Sequence, residues 1–121
     1  MMMLDRKYVL HIPLCRFGDG ELVAIDIDEI LEDLVGRLDC ESFYMTKVRG
    51  CYRSRVFDEL LITVFASDRD IGEIFGEWFK SNNDVLGQEA FSYECGDRMF
   101  VEMLSSELTG RMFYDSEHCD E

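Results

Sequence analysis

Two histidines and five cysteines are the side chains best suited to acid–base or nucleophilic work in this chain. His11 lies within residues 7–14, KYVLHIPL, which alternate as a strand does. A histidine placed there reads first as a structural residue of a sheet. The alternative is a general base, a role that a pKa near neutrality suits. His118 and Cys119 belong to the closing acidic run DSEHCDE, where no rigid element flanks them to position a nucleophile. Glu117, His118 and Asp120 match no ligand spacing for a metal. Cys15, Cys40, Cys51, Cys95 and Cys119 are odd in number and contain no CxxC pair. Neither a zinc site nor a disulfide framework follows, and free thiols in a reducing cytoplasm account for them. Gly18-Asp19-Gly20 lacks the rest of a phosphate-loop pattern. Asp58 and Glu59, adjacent on a strand, point to opposite faces, which weighs against a shared acid–base dyad. No catalytic residue, metal or cofactor is expected.

Charge carries the stronger signal. Against 12 basic residues stand 26 acidic ones, a net charge of -14. A surface of that sign repels nucleic acid and anionic membranes and attracts basic proteins. Asp26, Asp28, Glu29, Glu32, Asp33, Asp39 and Glu41 cluster on one helical stretch and its flanks, with Arg37 the lone base among them. One reading is a solvated helix face. The sharper one is a row of carboxylates that occupies a basic groove on another protein. A smaller basic set, Lys47, Arg49, Arg53 and Arg55, shares odd parity along a strand. Cross-strand pairing with Glu59, Glu94 or Glu102 would explain it, and a secondary anion or partner contact is the alternative.

The elements that must carry these residues follow from periodicity. Residues 7–14 form the first strand, with the only proline, Pro13, fraying its ladder. A turn at Gly18-Asp19-Gly20 leads into the apolar run 22–25, a small excursion or a short extra strand. Asp26 serves as N-cap with Glu29 three residues on, and Ile27, Ile30, Leu31, Leu34, Val35 and Leu38 follow at helical spacing. Residues 43–53 and 60–66 are the arms of a long hairpin turning near 53–55. A second helix starts at Asp70, with the stripe Ile71, Ile74, Phe75, Trp78 and Phe79, and stops at Ser81-Asn82-Asn83-Asp84. Residues 88–95 and 98–104 make a final hairpin around Gly96-Asp97.

The expected fold is α+β: a ferredoxin-like βαββαβ sandwich with an additional C-terminal strand, two helices on one face of an antiparallel sheet. Residues 1–106 form the domain, and 107–121 an acidic tail expected to be mobile. Within it the first and third main strands are central, and residues 43–53 sit at an edge.

The runs VLHIPL, IDIDEILEDLVGRL, FDELLITVF and LGQEAFSY resemble small ferredoxin-like proteins of bacteria and mobile elements. In size and acidity the chain also resembles phage-borne inhibitors of the anti-CRISPR and anti-restriction kinds. That second resemblance implies a non-enzymatic, cytoplasmic protein without direct nucleic-acid or membrane binding. Its carboxylates would stand where phosphates do, and its partner would be a basic protein such as a nuclease of a host defence system. The alternative is a small-molecule-binding or enzymatic ferredoxin-like domain acting as a dimer, with a pocket around His11 and Tyr52. A third reading is an accessory subunit of a larger complex.

Overall fold

The computed structural model describes residues 3–39, 42–67 and 69–104, the Tyr52 side chain excepted. The chain runs β1 (Arg6–Pro13), β2 (Cys15–Gly18), β3 (Glu21–Ala24), α1 (Asp28–Leu38), β4 (Phe43–Tyr52) and β5 (Arg55–Ala66). It continues through α2 (Ile71–Ser81), α3 (Asn83–Leu86), β6 (Ala90–Cys95) and β7 (Arg98–Met103). Five strands form one antiparallel sheet in the order β4-β5-β1-β6-β7, and β2 and β3 pair separately. This is a mixed α+β domain whose strand β4 lies at one edge, as its charges suggest.

The alternation of β1 divides its side chains cleanly. Tyr8, Leu10 and Ile12 point to the face that α1 and α2 cover, together with Ile62, Val64 and Phe91 from the neighbouring strands. Ile30, Leu34 and Leu38 of α1 and Ile71, Phe75, Trp78 and Phe79 of α2 close the core from above. Trp78, Phe75 and Phe79 are fully buried, and each such side chain stabilises the fold by about 1.5–3 kcal/mol before entropy. The Trp78 indole donates to the carbonyl of Ile30 at 2.7 Å, which ties the two helices together. Asp70 caps α2 as its spacing predicts, its carboxylate accepting from the Glu73 amide at 3.2 Å.

Several expectations need correcting. Helix α1 begins two residues after Asp26, with the buried Ile27 at the N-cap and no side-chain cap; Asp26 instead accepts from the Asp28 amide at 3.1 Å. Val35, read as part of the apolar stripe, is exposed. Residues 22–24 of the apolar run belong to strand β3, which pairs with an unexpected partner, β2. Asp19 and Gly20 both take positive φ, so this hairpin turns as a type I′ turn. Arg53 and Ser54 do the same between β4 and β5, without glycine. The second arm of that hairpin starts at Arg55, five residues before the expected 60. Where the sequence predicts only a helix stop, Asn83–Leu86 form the short helix α3. The tail 107–121 lies outside the described residues beyond Leu104.

Candidate functional site

Among the described residues no helix covers the other face of the sheet, and His11 stands at its centre. Because Leu10 and Ile12 enter the core, His11 between them must face away from it. Register fixes its neighbours. Pro13 is opposite Glu59 on β5, and Val9 is opposite Glu94 on β6, so both carboxylates flank His11 on its own face. His11 Nε2 lies 2.6 Å from Glu94 Oε2, and Nδ1 lies 3.4 Å from Glu59 Oε1. With both ring nitrogens turned to carboxylates, the imidazole is held as a cation between two anions.

The electrostatics agree with that geometry. The Glu59 carboxylate raises the His11 pKa above its ordinary 6.5, partial burial opposes it, and Glu94 adds to the rise. Glu94 is the nearer carboxylate but the more hydrated, with a side chain 40% exposed against 16% for Glu59, so water screens its charge more. Gly50 on β4 leaves room for Glu59: a Cβ there would stand 3.2 Å from the carboxyl carbon. Around the charged centre the same face carries Val9, Leu61 and Thr63, then Tyr44 against Phe65 on one side and Met99, Val101 and Met103 on the other. The arrangement offers a cluster of net charge minus one inside an apolar rim. It can bind an organic cation, and its carboxylates can take up a proton.

The acidic set lies elsewhere. Asp26, Asp28, Glu29, Glu32, Asp33 and Asp39 are all exposed on α1 and its ends, while Glu41 lies outside the described residues. Asp33 is engaged by Arg37 at 3.1 Å and by Asn82 at 3.1 Å; Arg37 and then Asn82 hold its carboxyl below the usual range. The basic set does not share one face. Arg49 is opposite Asp58 and Tyr52 opposite Arg55, so odd positions on β4 share a face with even positions on β5. Lys47 and Arg49 therefore fall on the helix-side face near Asp58, at 3.9 and 3.8 Å, while Arg53 lies in the turn and Arg55 on the other face. The expected partners are taken: Glu59 and Glu94 by His11, Glu102 by Lys80 at 2.7 Å.

Among the described residues, His11 is thus the one candidate from the sequence that the fold surrounds with chemistry. Glu59 had a readable signal, since alternation sets it on the face opposite Asp58. Glu94 had none, for its contact depends on a pairing 83 positions apart. Among the described cysteines, Cys15, Cys51 and Cys95 are free, and burial followed by Asp58 and Glu59 raises the Cys15 thiol pKa, which disfavours a thiolate. No group of three or more metal-ligating side chains occurs among the described residues, and none of their helices is long and apolar enough to cross a membrane.

No protein-family model and no curated protein matches the chain. Two solved structures do. A phage SAM lyase in its apo state aligns over 85% of this chain and 94% of its own, with a TM-score of 0.59 and 13% identity. A phage SAM lyase in complex with S-methyl-5′-thioadenosine aligns over 84% of this chain and 91% of its own, with a TM-score of 0.54 and 12% identity. At such identities the likeness is one of fold. It nonetheless overturns the expectation of a non-enzymatic inhibitor docking in a basic groove, because the solved chains that share this fold are enzymes, and that reading is withdrawn.

Proposed function

We propose that the protein is a small-molecule enzyme, a lyase acting on S-adenosylmethionine or a closely similar sulfonium nucleoside, with its site on the open sheet face around His11. The observation that carries this reading is the half-buried His11, Glu59 and Glu94 cluster at the centre of an apolar-rimmed face. The fold likeness to two phage SAM lyases supports it. So does the order β4-β5-β1-β6 with two helices on one face, which fits a ferredoxin-like arrangement to which β7 and the β2–β3 hairpin are added.

S-methyl-5′-thioadenosine keeps the methyl and adenosyl groups of a sulfonium, so forming it breaks the third sulfur–carbon bond. The bond electrons pass to sulfur, which becomes a neutral thioether. The four-carbon fragment must then either lose a proton or close on its own carboxylate. A negative cluster attracts the sulfonium, and Glu94, the more exposed carboxylate, is placed to accept a proton. In this reading a second copy of the chain walls the site, since Tyr44, Met99, Val101 and Met103 stay exposed on the open face.

The test is incubation of purified protein with S-adenosylmethionine and detection of S-methyl-5′-thioadenosine by liquid chromatography and mass spectrometry. Turnover is expected, with Glu94→Gln slower by about 10² or more. Absence of product, together with no calorimetric binding of S-methyl-5′-thioadenosine at millimolar concentration, refutes the proposal.

A further inference from the structure

The β2–β3 hairpin and the start of β5 enclose a groove of about 380 Å³, lined by Leu14, Cys15, Leu22, Ala24, Val56 and Asp58 among others, with Lys47 at its rim. The hairpin's alternation explains the lining. Cys15 is opposite Ala24 and Phe17 opposite Leu22, so these four share one face. The other face carries Arg16, whose guanidinium donates to the carbonyls of Asp84 at 2.8 Å and Val85 at 3.0 Å. Gln88 Nε2 adds a bond to the Cys15 carbonyl at 2.9 Å. A two-stranded ribbon is marginal alone. Here these bonds to the α3 region hold it upright, and its apolar face is left looking across open space.

Lys47 and Arg49 border that space on the helix-side face against one carboxylate, Asp58. Lys47 and Arg49 reach Asp58 only loosely, at 3.9 and 3.8 Å. The Arg55 guanidinium sits 4.8 Å above the Phe17 ring, which is 56% exposed. Leu22 and Val56 are exposed as well. A locally positive, apolar groove on a chain of net charge -14 selects by charge as well as by shape. A volume near 380 Å³ lies within the range of small-molecule sites.

We infer that this groove binds a small organic anion with an apolar body, its head group near Lys47 and Arg49 and its body against Leu14, Leu22 and Val56. The site is distinct from the His11 cluster: Asp58 points to the groove, and Glu59, the next residue, points to the opposite face.

The test uses 8-anilinonaphthalene-1-sulfonate as the anionic probe and N-phenyl-1-naphthylamine as its neutral counterpart, titrated into the full chain by fluorescence. Amide shifts in two-dimensional NMR locate the bound probe. The expected result is saturable one-to-one binding of the anion with shifts confined to residues 14–25, 47–49 and 55–58. Lys47→Glu weakens the anion by about tenfold and leaves the neutral probe within a factor of two. Val56→Asp, at a position 58% exposed and thus neutral for folding, weakens both probes. Anion binding unchanged in both variants, shifts centred on His11, or non-saturable binding each overturns the inference.

Discussion

Replacing His11 by Gln removes the charge at the centre of the open face and keeps a polar side chain of similar reach. In the native protein two carboxylates hold the imidazolium, at 2.6 and 3.4 Å. Hydrogen bonds to charged groups contribute about 1.5–3 kcal/mol when buried. His11 is 18% exposed and Glu94 40%, so solvent reduces the expected value to about 1–2 kcal/mol. The sign with pH follows from the raised pKa of His11. The contribution is complete below the ordinary value of 6.5, where His11 is charged in both folded and unfolded chains, and it disappears as pH rises through the raised folded value. The variant should therefore be less stable than the parent by about 1–2 kcal/mol at pH 6 and nearly equal to it at pH 9. Urea denaturation followed by tryptophan fluorescence at both pH values measures this, because Trp78 is the only tryptophan and is fully buried. An equal loss at pH 6 and pH 9 would mean that His11 acts by packing and not by charge, and the reasoning would fail.

Trp78→Phe should cost about 1–3 kcal/mol, from lost volume and the lost bond to Ile30, as a lower midpoint in guanidinium. Gly72→Ala is a case where two effects compete. Helix propensity favours alanine by about 1 kcal/mol, but its Cβ would lie 2.5 Å from Cζ of Tyr93, which is stacked at 5.1 Å on Phe100. Overpacking at about 1–3 kcal/mol should win, and calorimetry should show a lower Tm. Asp33→Asn removes a carboxyl held below its ordinary 3.8, so its small cost of about 0.3–0.5 kcal/mol should be visible at pH 7 and fade as pH falls below that ordinary value and through the lowered folded one. Arg16→Ala should free the β2–β3 hairpin, speeding amide hydrogen exchange at residues 15–24 while leaving α2 protected.

Much of the fold was legible because local chemistry and the tertiary outcome agree. Helix α2 has a cap, a stripe and a stop in adjacent positions, and all three operate. Strand β1 alternates so strictly that its core face could be read directly. Helix α1 was harder. Asp26 looked like a cap, yet burying Ile27 in the core moves the helix start forward, a tertiary demand that outweighs a capping preference. The β2–β3 hairpin has too few residues to display a period, and it stands because its Arg16 reaches to α3 and Gln88, just after α3, reaches back to it. The site was the least legible part. Composition directed attention to carboxylates that are numerous, while the two that meet His11 are selected by register, a property of strand pairing and not of any local run. Parity within β4 and β5 misled for the same reason: it orders each strand by itself, and only the pairing decides which parities share a face.

The central place of β1 also has a consequence in time. It is made first, yet both its hydrogen-bonding neighbours, β5 and β6, come later in the chain. At about 5–20 residues per second, roughly 4–16 s separate the emergence of Pro13 from that of Cys95. During synthesis the central strand of the sheet therefore waits with both edges open, a template for pairing with other chains. Arg6 and Lys7 before the run and Pro13 at its end are the residues that guard it. Replacing them would leave the finished sheet nearly unchanged and would be felt by the nascent chain.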